Sequence, residues 1–146
     1  MYVPTAEEMR QLGAALGRVA IAGDRFLLQG PFGAGKTTMV QGLARGLDVQ
    51  VPVGSPSFVI ETQYRGRLTL YHVDLYRLEQ LEPELVEQLA EDLYGEGVAA
   101  VEWAERLPLE LASDGTVLRF EVGPGDGRTV SVTSNQERIT AALGGS

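Results

Sequence analysis

The stretch Arg25-Phe26-Leu27-Leu28-Gln29 is short and apolar, and it runs directly into Gly30-Pro31-Phe32-Gly33-Ala34-Gly35-Lys36-Thr37-Thr38. Met39, Val40, Leu43 and Leu47 follow at helical spacing. A strand therefore passes through a glycine loop into a helix. The loop matches the phosphate-binding pattern G-x-x-x-x-G-K-[ST]. Such a loop needs glycines because its backbone N–H groups turn inward around phosphate oxygens, and the helix behind it adds its positive end. Lys36 supplies a point charge for the outer phosphates, and the Thr37 hydroxyl supplies a hard oxygen for Mg²⁺. A chance glycine turn is the competing explanation. The four fixed positions coincide by chance in roughly one or two chains in a thousand of this composition, before the flanking strand and helix are counted. A nucleoside triphosphate is the expected ligand, contacted by Gly33, Ala34, Gly35, Lys36, Thr37 and Thr38.

The remaining elements arrange themselves around this unit. Met9, Leu12, Leu16 and Val19 mark an amphipathic first helix over 5–20, with Thr5 and Glu8 as a capping box. Residues 58–64 and 68–76 read as strands joined at Arg65-Gly66-Arg67, and 79–94 as a helix. Val98-Ala99-Ala100-Val101 is the kind of uninterrupted apolar run that a parallel sheet buries. Residues 116–122 and 129–133 alternate around a glycine-rich turn and read as an exposed hairpin, and a short helix near 136–143 follows. These elements predict one α/β domain over 1–146. Its fold is P-loop NTPase-like: a mixed sheet with a parallel core, antiparallel strands at the margins and helices on both faces.

Composition narrows the function. Eighteen of 146 residues are glycine, about 12% against ~7% on average, which asks for tight turns or close backbone approaches. With no cysteine, thiolate metal sites and cysteine nucleophiles are excluded. A formal charge of -8 argues against strong direct binding of nucleic acid. The N-terminus lacks the basic and apolar regions of a secretory signal, and no apolar run approaches membrane-spanning length. The expectation is a soluble cytoplasmic protein with no membrane association. There is one lysine, Lys36, and one histidine, His72, which lies in a predicted strand and reads as a packing residue.

A phosphate loop works with a carboxylate at the end of a neighbouring strand. Asp74 closes Leu70-Tyr71-His72-Val73-Asp74, and Glu102 closes Val98-Ala99-Ala100-Val101-Glu102. Each also has a plain structural reading, Asp74 as a turn or cap residue and Glu102 as an acid at a strand end. Asn135 is the only asparagine, so the Asn-Lys-x-Asp segment of guanine-specific proteins is absent, which favours ATP over GTP. Residues 78–105 hold nine acids and no Lys or Arg, so they do not form the arginine-bearing lid of a small-molecule kinase. They read as a solvated acidic face.

GPFGAGKTT, SPSF at 55–58, YHVDLYRL at 71–78 and VEW at 101–103, in this order, resemble the TsaE (YjeE) family of bacterial tRNA threonylcarbamoyladenosine biosynthesis. The resemblance runs from the first helix to Trp103, about two thirds of the chain. It implies slow hydrolysis of ATP with Mg²⁺, and association with the TsaD–TsaB pair that transfers the threonylcarbamoyl group, allowing that pair to turn over repeatedly. By position it makes Lys36 the phosphate lysine, Thr37 and Glu102 the magnesium side, and Asp74 an acid needed for hydrolysis. SPSF resembles a switch-like segment in which a threonine is common, and Ser57 keeps the hydroxyl there. Trp103 resembles a tryptophan beside the magnesium carboxylate, and an apolar anchor over the strand end is its other reading. Two other classes stay open: a small-metabolite phosphotransferase, and a nucleotide-gated binding module without useful turnover.

Overall fold

The computed structural model describes residues 1–54, 60–76, 78, 81–113, 115–125 and 127–144. Seven strands form one sheet: β1 (Tyr2–Val3), β2 (Arg25–Gln29), β3 (Glu61–Tyr64), β4 (Leu70–Asp74), β5 (Val98–Glu102), β6 (Thr116–Val122) and β7 (Arg128–Thr133). Their order is β1-β7-β6-β2-β5-β4-β3. β6, β2, β5 and β4 are mutually parallel. β3 adds antiparallel on one side, and β7 and then β1 add antiparallel on the other. The expected parallel core with antiparallel margins is present. Because β2, β4 and β5 point the same way, Leu28 and Asp74 both stand beside Glu102 in register, and three strand ends open on one edge.

The hairpin at 116–133 corrects the sequence expectation. It is not an exposed appendage, because β6 pairs in parallel with the central β2 and buries Leu118 and Phe120, while β7 buries Val130. Alternation reports that one face of a strand is apolar and says nothing about which strand lies beside it. The helix expected over 79–94 is α3 (Pro83–Leu93). Pro83 occupies its first turn, and the residue before a proline is driven out of the helical region, so Glu82 is extended. The strand expected from residue 58 begins at Glu61, with 58 and 59 outside the described residues.

Helices cover both faces. α1 (Ala6–Val19), α2 (Lys36–Gly46) and α5 (Glu137–Ala142) pack on one, over Phe26, Leu28, Ala100, Leu118 and Phe120. α3 and α4 (Leu109–Ala112) pack on the other, over Leu27, Val73, Ala99 and Val101. Each fully buried Leu or Phe in these layers contributes about 1.5–3 kcal/mol against leaving it in water. Thr5 caps α1 by accepting the Glu8 amide at 3.1 Å, as the capping box requires. α1 and α2 meet backbone to backbone. A Cβ on Gly13 would sit 2.4 Å from the Met39 carbonyl, and one on Gly42 would sit 2.2 Å from that of Arg10. Part of the glycine excess therefore serves this one close approach, which fixes α2 and the loop at its head.

Candidate functional site

The loop between β2 and α2 is shaped by its glycines. Gly35 caps α2 at φ +100°, and Gly30 leaves β2 at φ +150° with its α-carbon so near β6 that a Cβ would lie 2.7 Å from the Phe120 carbonyl. A side chain at Gly30 would be strained and would also collide with the sheet. Gly33 lies exposed on the loop, its carbonyl accepting from Arg128 Nη2 at 3.1 Å. Ala34 is buried, and its amide donates to Pro31 at 3.3 Å. Lys36, Thr37 and Thr38 form the first turn of α2.

Lys36 is only 4% exposed. Its Nζ donates to the Gly30 carbonyl and lies 3.6 Å from the centroid of the Trp103 ring. Burial pushes the ammonium below the usual lysine range, and the carboxylates of Glu105, Glu102 and Asp74 pull the other way. The charge is thus held by a carbonyl dipole and a ring face, two partners that an anion of higher charge can displace.

Glu102 is buried at the end of β5 and ties the site together. The Thr37 hydroxyl donates to it, lying 2.9 and 3.0 Å from its two oxygens. On its other side His72 Nε2 is 2.5 Å from Oε2. Asp74, one strand over, accepts the Tyr76 amide at 2.9 Å. Burial raises the Asp74 pKa, the Tyr76 amide lowers it, and the Glu102 charge raises it further. Lys36, Thr37, Asp74 and Glu102 therefore share one edge of the sheet. Ser57 lies outside the described residues.

Arg106, Phe32 and Tyr76 were not read as part of the site from the sequence. Arg106 donates to the carbonyls of Leu75, Tyr76 and Leu78, pinning the turn after Asp74, and its guanidinium lies 5.2 Å from the Trp103 ring. Phe32, Tyr76 and Trp103 form a ring series with centroids 5.6 and 5.2 Å apart. Trp103 holds a left-handed backbone at φ +59°, which costs a non-glycine residue about 1–3 kcal/mol and turns its ring toward Lys36. His72 is fully buried, as a packing residue would be, yet its Nε2 meets the carboxylate.

The donor set fits a small hard cation bound together with phosphates. Thr37 and Glu102 offer oxygen ligands, and no group of three or more His, Asp or Glu able to hold a metal alone exists among the described residues. An ion here would complete its shell with phosphate oxygens and water.

A strand, a glycine loop and a helix at the edge of a mixed sheet with a parallel core define an α/β protein of the P-loop NTPase class. Within that class the chain belongs to the TsaE family: the model of the threonylcarbamoyl adenosine biosynthesis protein TsaE matches residues 3–130. The similarity thus extends past Trp103 into β7. The tRNA threonylcarbamoyladenosine biosynthesis protein TsaE of Nostoc sp. is 44% identical over 115 residues, 74% of this chain and 69% of that protein. Its counterpart in Treponema pallidum is 39% identical over 128 residues, 88% of this chain and 95% of that one. The crystal structure of Bacillus subtilis YdiB superposes with a TM-score of 0.77 at 30% identity, covering 98% of this chain and 89% of that one. Among the described residues, no helix is long and apolar enough to cross a membrane.

Proposed function

We propose that this chain is one P-loop ATPase domain over 1–146 that binds ATP, hydrolyses it slowly, and serves tRNA threonylcarbamoyladenosine formation in the cytoplasm by supporting turnover of a TsaD–TsaB pair. The observation that carries the reading is the Thr37–Glu102 hydrogen bond, which joins the head of the loop helix to the end of β5 beside Lys36 and Asp74. The pathway comes from the names of the relatives, which are biosynthesis proteins of this modification.

In this reading the loop amides from Gly33 to Thr38 surround the phosphates, and Lys36 leaves the Gly30 carbonyl and Trp103 to neutralise them. Mg²⁺, held on the side of Thr37 and Glu102, would screen phosphate charge and help orient water. Asp74 is the direct register partner of Glu102 on the neighbouring strand and accepts or orients the proton of the attacking water. Ser57 senses the outer phosphate from the segment after α2. Phe32, 77% exposed and packed at a tilt against Tyr76, leaves apolar surface beside the loop for the protein partners.

The test is ATP turnover with and without TsaB and TsaD, with tRNA modification measured alongside. Glu102→Ala and Asp74→Ala are expected to lose about 100-fold or more in stimulated hydrolysis while nucleotide binding falls much less. Wild-type turnover by either variant removes that residue from the chemistry. Transfer of a labelled γ-phosphate to a small acceptor would instead favour a phosphotransferase.

A further inference from the structure

Glu102 has two side-chain anchors, and only one of them is free to stay in place when ligand binds. Thr37, on the loop side, is the residue whose hydroxyl oxygen the proposed function gives to a cation beside the phosphates. His72, on the β4 side, is fully buried and out of reach of solvent. Its Nε2 lies 2.5 Å from Glu102 Oε2, and its Nδ1 is buried with no hydrogen-bond partner among the described residues. A deprotonated carboxylate can only accept, so the hydrogen on the ring belongs on Nε2, and the bare Nδ1 then has no proton left unsatisfied. The sheet register makes this meeting unavoidable. His72 pairs with Ala100, which places it two residues short of Glu102 on the adjacent parallel strand, with its side chain directed along the strand toward the carboxylate.

We infer that His72 is a positioning residue: its Nε2–H holds the Glu102 carboxylate turned toward Thr37, so that the oxygen facing a bound cation is set in advance of binding. This deepens the proposed function and rests on its reading of Glu102 as the metal-side carboxylate. A hydrogen bond to a buried carboxylate is charge-assisted, and groups that orient a metal ligand from behind typically set metal affinity by 10- to 100-fold.

His72 is the only histidine in the chain, so isotope-labelled histidine gives NMR signals from a single ring. In the nucleotide-free protein at neutral pH, Nε2 is expected to carry a proton; an Nε2 without one overturns the inference. That result stands whether or not any variant folds. The second measurement is calorimetric binding of a non-hydrolysable ATP analogue over a range of Mg²⁺ concentrations and in a chelator. His72→Leu should raise the Mg²⁺ needed for tight binding by about 10- to 100-fold. His72→Gln, which keeps an N–H near the same place, should restore most of it, and chelator affinities should be equal in all three proteins. An unchanged Mg²⁺ requirement in His72→Leu, or an equal loss with and without Mg²⁺, makes the histidine a packing residue and overturns the inference. Wild-type binding that is indifferent to Mg²⁺ overturns the reading of Glu102 instead, and the NMR result separates that failure from the first.

Discussion

Lys36 is a buried cation whose partners are a carbonyl and an aromatic ring, and that arrangement decides what its removal does. Neither partner is left charged and alone, so Lys36→Ala is expected to keep the fold, with its melting curve as the check. ATP affinity should fall by about 10- to 100-fold, the worth of one hydrogen bond to a charged group, read by calorimetry. Asp74 is predicted through its pKa. Burial raises it above the ordinary 3.8, so between that value and its folded pKa the native protein holds more proton than the unfolded chain. Stability therefore falls as pH rises through that window, and Asp74→Asn should be relatively more stable at pH 7 than at pH 4 in paired urea titrations. A wild-type-like pH profile in the variant would show that the carboxyl pays no burial penalty. Lys36, Thr37, Asp74 and Glu102 were all legible as candidates because their chemistry is written locally, in a loop and two strand ends. Arg106 and His72 were not, because what they touch depends on strand order and on a chain reversal that no local pattern records.

At the scale of elements, the α1–α2 contact sets two effects against each other. Replacing a helical glycine with alanine gains about 1 kcal/mol of helix propensity. At Gly42 the added Cβ would lie 2.2 Å from the Arg10 carbonyl, with the Arg10 Cα at 2.9 Å, and backbone cannot swing aside as a side-chain tip would. Overpacking of this kind costs about 1–3 kcal/mol and more where nothing yields, so Gly42→Ala is expected to destabilise despite the better propensity. Urea denaturation measures it, and a stabilised variant would mean that the helices separate cheaply. The glycine excess announced close approaches, yet the facing of Gly13 and Gly17 with Gly42 and Gly46 emerges only once two helices are laid on one sheet face. β1, two residues long, is below the length at which alternation can be read, and β6 carried the right alternation without naming β2 as its neighbour.

For the whole molecule the governing quantity is a net charge of -8. Binding to a tRNA backbone draws its free energy from counterions released by clustered Lys and Arg, and this chain has 12 such residues against 20 acids. Several of the twelve are already engaged: Lys36 inside the site, Arg106 on the turn after Asp74, Arg138 on Asp24, and Arg67 on the carbonyls at the end of α1. On the proposed function, influence on tRNA modification therefore passes through protein contacts. On the same reading, the face around the phosphate loop is where a γ-phosphate would change what a partner meets, with Ser57 as the proposed sensor. A switch of this kind needs differential affinity between nucleotide states, and coupling of about 1–3 kcal/mol corresponds to roughly 5- to 150-fold. Affinity for TsaB–TsaD, measured by surface capture in ATP, ADP and nucleotide-free conditions, is expected to differ by that factor between at least two states. Ser57→Ala should reduce partner-stimulated hydrolysis more than it reduces ATP binding by the isolated chain. Equal partner affinity in all three states, or tight tRNA binding by this chain alone at physiological salt, would show that the nucleotide does not act through this face.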